Sequence, residues 1–153
     1  MSQTQFLILI GVPGAGKSTW ANKTLSHTCM IVSPDDIRAE FGDVMDQSKN
    51  REVWDEAYRW VTDYLVSGED VILDATHATA RTRNKSIEVG KAAGAEIFGI
   101  YFPISAVEAK IRNLGRERIV PEHVIDRMTV SLMKEPPSRD EGFDHFALIS
   151  EDV

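Results

Sequence analysis

A chain of 153 residues, 42% of them hydrophobic, has enough apolar material for one domain built on a single core, residues 1–153. No apolar run approaches the roughly 20 residues of a membrane span, and the N-terminus lacks a basic-then-apolar signal pattern. Both observations point to a soluble, cytoplasmic protein with no membrane partner, and nothing suggests an obligate protein partner. The net charge of −7 argues against a strongly basic nucleic-acid binder.

The chain opens with an apolar run, Phe6-Leu7-Ile8-Leu9-Ile10, which reads as a strand over 6–12. It leads into Gly11-Val12-Pro13-Gly14-Ala15-Gly16-Lys17-Ser18, a full G-x-x-x-x-G-K-[ST] match followed by a helical pattern over 17–26. Glycines let the backbone wrap a phosphate closely, and the helix that follows offers its positive end. Gly14, Ala15, Gly16, Lys17, Ser18 and Thr19 are therefore the expected nucleotide cradle. Lys17 would reach the β- and γ-phosphates, and the Ser18 hydroxyl would serve Mg²⁺.

A second apolar run, 29–33, holds the single cysteine, Cys29, which reads as a small buried hydrophobe. It ends at Ser33-Pro34-Asp35-Asp36-Ile37-Arg38, where Ser33 can cap and Pro34 can open a helix assigned to 36–42. In an open parallel sheet this strand end faces the same crevice as the first. Asp35 can accept a proton from an attacking hydroxyl, and Arg38, one helical turn on, can hold an acceptor phosphate or the γ-phosphoryl group. The alternative is an ordinary pair of acids at a helix dipole.

Over 48–67, Trp54, Tyr58, Val61 and Leu65 share one helical face, read as core rather than a base-stacking stripe. Gly68 would end this helix. The run 70–74 closes on Asp74, placed at a strand's carboxyl end either to organise Mg²⁺, directly or through water, or to hold a loop. Further helices are expected over 80–93, 105–115 and, opened by Pro121, 121–134, with strands over 96–102 and 145–149 and an exposed connection over 134–142. Continuous apolar strands imply a mostly parallel sheet with helices on both faces. Arg112, Arg116 and Arg118 cluster around Gly115 as lid material that could close over a triphosphate; Arg116, beside the glycine, is the strongest candidate. Residues 81–118 carry 8 bases and 4 acids, a local surplus that could meet a polyanion on an otherwise acidic chain.

These elements together resemble the kinase domain of the polynucleotide 5′-hydroxyl kinases of phage and bacterial end-healing enzymes. The resemblance runs through Gly11 to Trp20, Ser33 to Arg38, Asp46-Gln47-Ser48, Val71 to His77, Arg112 to Met128 and Glu141-Gly142-Phe143. It implies an α/β, three-layer P-loop kinase fold with a mostly parallel five-stranded sheet and a small lid near 112–120. It also implies ATP and Mg²⁺ as cofactors and a nucleic-acid 5′ end as substrate. Carried over, Lys17 and Ser18 bind phosphates and metal, Asp35 is the general base, Arg38 contacts the acceptor, Arg116 engages the donor phosphates and Gln47 lies in the acceptor pocket. Many relatives read Asp-Ala-Thr-Asn where this chain reads Asp74-Ala75-Thr76-His77, so His77 is either a structural substitute or an altered acceptor contact. No phosphatase or ligase module accompanies the motifs, which implies a stand-alone kinase. The same chemistry on a hydroxymethylated base, a nucleoside or a small molecule is the nearest alternative. A nucleotide-binding switch without phosphotransfer is the alternative of another class; it should lack the Asp35, Arg38 and Arg116 set.

Overall fold

The computed structural model describes residues 3–24, 28–42, 48–116 and 119–150; Gln47 and Arg118 lie outside them. The elements in chain order are β1 (Gln5–Ile10), α1 (Lys17–Thr24), β2 (Cys29–Val32), α2 (Pro34–Glu40), α3 (Asn50–Val66), β3 (Asp70–Leu73) and α4 (Ala80–Ala92). There follow β4 (Glu96–Tyr101), α5 (Ala106–Asn113), α6 (Glu122–Lys134) and β5 (His145–Leu148), with a short 3₁₀ turn over Arg139–Glu141 before β5. The five strands form one sheet in the order β2-β3-β1-β4-β5, and every pairing is parallel. The expected α/β class with a parallel five-stranded sheet is the observed one.

Parallel pairing follows from the strands' composition. Phe6 to Ile10 and Val71 to Leu73 are all at most 5% exposed, as strands covered by helices on both faces must be. At about 1.5–3 kcal/mol for each large apolar side chain removed from water, this central pair of strands dominates the core. The strand order places β1 between β3 and β4, so the chain's winding reverses beside β1 and opens a crevice at the strands' carboxyl ends.

The boundaries carry physical causes. β1 stops at Ile10 rather than continuing to residue 12, because the Gly11 N–H leaves the sheet to donate to Thr76 O at 3.0 Å. α2 starts two residues earlier than expected: the Ser33 hydroxyl accepts from Asp36 N and Pro34 supplies the first helical φ. On α3 the core reading of the apolar face holds, with Val61 and Leu65 buried and Trp54 and Tyr58 packed against the core. Gly68 ends that helix at φ +91°, and Cys29 is half-buried at the start of β2. Among the described residues no helix is long and apolar enough to cross a membrane.

One expectation is borne out and one corrected. The connection before β5 is exposed from Lys134 to Asp140 apart from the half-buried Pro137, and it is tied down at its end, where Glu141 accepts from Arg83 Nε through both carboxylate oxygens, at 2.9 and 3.0 Å. The same pair breaks up the basic surplus of 81–118. Arg83 is 1% exposed and spends its charge on Glu141, while Lys110 pairs with Asp126 and Arg112 with Glu108. A sequence count cannot reveal that three of these bases already have carboxylate partners.

Candidate active site

The P-loop is shaped by what it touches. Gly14 and Gly16 adopt φ of +90° and +97°, and a Cβ on Gly14 would stand 2.7 Å from the Ala109 carbonyl of α5. Only glycine fits this approach, so the loop lies against α5 and its backbone curls toward the crevice. Lys17, the first residue of α1, is 8% exposed and donates from Nζ to Gly11 O at 2.7 Å and Val12 O at 3.1 Å. Lys17 also lines the cleft over the P-loop, and without a phosphate the backbone carbonyls are its partners. Burial draws the Lys17 ammonium down to about 8, opposed by the charge of Asp74, reinforced by Arg116 and opposed again by Asp35. It remains protonated at neutral pH, and these three charges lie near enough to act on it.

Ser18 donates to Asp74 Oδ2 at 2.6 Å, bringing the second turn of the motif and the end of β3 together. Arg116 and Arg112 form the facing wall of a cleft of about 250 Å³ above Gly16, Lys17 and Ser18. Arg116 Nη1 is buried with no hydrogen-bond partner among the described residues, an orphaned donor on a wall suited to an anion. A second cleft of about 300 Å³, lined by Ala15, Ile104, Glu108 and Ile149 among others, shares Arg112 with the first. The base of the candidate lid is fastened by Asn113, 1% exposed, whose amide donates to Val120 O at 2.6 Å and accepts from Val120 N at 3.0 Å. No sequence motif marks that clasp.

Asp35 stands in the first turn of α2 with its side chain 55% exposed, while Arg38 beside it is 6% exposed. Arg38 Nη1 donates to Asp35 Oδ1 at 2.5 Å and Nη2 donates to Asn50 Oδ1 at 2.7 Å, leaving Nε buried without a partner among the described residues. The expected pair is thus joined by a third residue, Asn50, that spelling alone did not mark.

His77 is a correction. It is 2% exposed; Nδ1 lies 2.7 Å from Leu9 O and Nε2 lies 2.8 Å from Ser86 Oγ. A carbonyl only accepts, so Nδ1 carries the proton and Nε2 takes the Ser86 hydroxyl, whose oxygen lies 2.9 Å from the Tyr58 hydroxyl. Burial holds this imidazole down to about 4, so it is neutral at physiological pH. Both ring nitrogens are thus engaged within the protein, which leaves no free polar atom for an acceptor and favours the structural alternative. The backbone explains the residue type: His77 has φ +48°, the left-handed region that Asn and His enter more readily than most side chains. Arg83 locks the loop from below, donating to His77 O at 2.9 Å and Glu135 O at 2.6 Å.

The residues present suit a nucleotide with a hard divalent cation. Ser18 and Asp74 supply two oxygen donors at the foot of the phosphate cleft. Among the described residues no group of three or more His, Cys, Asp or Glu side chains forms a metal cage, and Mg²⁺ is commonly held by one or two protein oxygens plus substrate phosphates.

Comparison with solved structures finds the same fold in proteins of varied kinds. A chain of the Pnkp1/Rnl/Hen1 RNA repair complex superposes with a TM-score of 0.77 at 22% identity, over 88% of this chain and 45% of that one. A sugar kinase from Janibacter sp. HTCC2649 gives 0.70 at 16% identity, over 96% and 85%. Kti12 from Chaetomium thermophilum, in complex with ADP-AlF3, gives 0.70 at 16% identity, over 96% and 89%. The chain thus spans less than half of the RNA repair chain it matches. Comparison with curated proteins found no match. A family model described as an AAA domain matches residues 6–136, from β1 through α6, and the chain, with its kinase-like P-loop fold, belongs to that family.

Proposed function

We propose that this protein is an ATP-dependent phosphotransferase that moves the γ-phosphoryl group to a hydroxyl, the acceptor being the 5′-OH end of a DNA or RNA strand. The observation that carries the reading is the pair Asp35 and Arg38 just past the end of β2, on the edge of the parallel sheet where β1 runs into the P-loop. A switch module has no use for a half-exposed carboxylate and a buried arginine there.

ATP, with a magnesium ion served by Ser18 and Asp74, supplies the phosphoryl group. Lys17 exchanges its carbonyl partners for the β- and γ-phosphates, and Arg116, through its orphaned Nη1, takes negative charge as it builds on the transferred group. The second cleft, which shares Arg112 with the first, would offer room for the nucleoside. The acceptor oxygen bonds to the γ-phosphorus as the bond to the bridging oxygen of ADP breaks. The proton of the hydroxyl passes to the Asp35 carboxylate. Arg38 holds the acceptor's neighbouring phosphate, and Arg112 and Arg116 serve as the lid arginines over the phosphates.

The neutralised bases of 81–118 favour a second reading in which the acceptor is small or modified: a nucleoside, a sugar-like molecule or a hydroxymethylated base. Incubation with γ-labelled ATP separates the readings, using 5′-OH oligonucleotides, hydroxymethyluracil DNA, nucleosides and gluconate. The proposal expects label on the oligonucleotide 5′ end. More efficient labelling of a small acceptor overturns the polynucleotide assignment, and ATP turnover unaffected by every acceptor overturns phosphotransfer.

A further inference from the structure

We infer that Asn50, the first residue of α3, is the positioning residue for Arg38 and thereby a determinant of acceptor affinity; the second half of this statement rests on the function proposed above. Arg38 is nine-tenths buried, yet only two partners fix its guanidinium among the described residues: Asp35 Oδ1 on Nη1 and Asn50 Oδ1 on Nη2. The two partners differ in kind. Asp35 is the group that receives the acceptor's proton, so its charge, and with it much of its hold on Arg38, is lost during the reaction. Asn50 is a neutral acceptor that no proton transfer alters. It keeps Nη2 in place whether Asp35 is charged or not, and leaves the buried Nε–H as a donor for a phosphate oxygen.

The brace links two helices, since α2 carries Asp35 and Arg38 while Asn50 opens α3, twelve positions beyond Arg38. Asn also suits this place better than a carboxylate. Asp would hold Nη2 as firmly but would set a second negative charge against Arg38 and cancel its attraction for an anion.

Asn50 is exposed at a helix start, so its substitution should leave folding intact. Two measurements on the full chain test the inference, with circular dichroism confirming the fold. The first needs no acceptor: the Arg38 Nε–H resonance, assigned with Arg38→Lys, should exchange with water about tenfold faster in Asn50→Ala, the factor expected from losing one hydrogen bond to a charged group, and should recover in Asn50→Gln. The second is steady-state kinetics with a 5′-OH oligonucleotide. Asn50→Ala should raise the acceptor KM about tenfold while the ATP KM moves less than about twofold, Asn50→Gln should restore most of the loss, and Asn50→Asp should not. An unchanged Arg38 resonance in Asn50→Ala overturns the positioning role. A changed resonance with acceptor kinetics untouched in both Asn50→Ala and Arg38→Ala supports the positioning role and overturns the acceptor reading. Impaired kinetics in Arg38→Ala alone overturns Asn50 as a determinant of acceptor affinity.

Discussion

Acid should weaken this protein through His77. The imidazole is buried, has both ring nitrogens engaged and is held down to about 4, against 6.5 in an unfolded chain. Between these two values the unfolded state binds a proton that the folded state refuses, so stability is intact above pH 6.5, falls as the pH drops, and levels off below about 4. At about 1.4 kcal/mol per pH unit, the one and a half units from pH 6.5 to 5 remove about 2 kcal/mol, a large share of a small domain's stability. His77→Asn isolates the effect, because Asn tolerates φ +48° and does not titrate. The variant should be less stable at pH 7, having lost the contact with Ser86, but the gap to the parent should close by about 2 kcal/mol at pH 5. Urea unfolding followed by tryptophan fluorescence suits the purpose, since the Trp54 ring centroid lies 5.8 Å from that of His77. Comparing the two proteins cancels the remaining histidines. A gap that stays constant within about 0.5 kcal/mol between pH 7 and pH 5 would refute the argument.

Lys17→Met should abolish phosphotransfer without lowering the melting temperature, because the side chain is a buried cation whose desolvation opposes folding. A marked loss of stability would mean that its bonds to Gly11 O and Val12 O outweigh that penalty. Asp35→Asn should leave ATP binding near normal and cut turnover roughly 10²-fold or more through loss of the base, whereas Asp36→Asn should be mild; rapid-quench kinetics giving the reverse ranking would dismiss Asp35. Gly14→Ala should cost about 1–2 kcal/mol in backbone strain alone and force the P-loop off Ala109 O, measurable as lost nucleotide binding by calorimetry. If the acceptor is a polynucleotide end, its KM should rise with salt with a log–log slope of a few units at most, since only a few phosphates beside the reacting hydroxyl would be neutralised.

What the amino-acid sequence determined by itself is what short-range physics controls. Gly11 to Ser18 specifies a phosphate loop because its glycines and the helix start after it lie within one turn of each other. Ser33 and Pro34 specify a helix start, and Asp35 and Arg38 meet because three residues make nearly one helical turn. The unbroken apolar strands demanded a sheet covered on both faces. Tertiary structure decided the rest. The parallel order β2-β3-β1-β4-β5 brings the carboxyl ends of β2, β3 and β1, and with them Asp35, Asp74 and Lys17, to one edge of the sheet, a juxtaposition that no local pattern encodes. Whether a base faces solvent depends on partners distant in the chain: Arg83 finds Glu141 across 58 positions, and Arg38 finds Asn50 across 12. His77 shows the division most clearly. Its letter allowed either an acceptor contact or a structural part, and a carbonyl 68 positions earlier, on Leu9, together with a left-handed backbone, made it structural. Burial belongs to packing, and packing joins residues that the sequence holds apart.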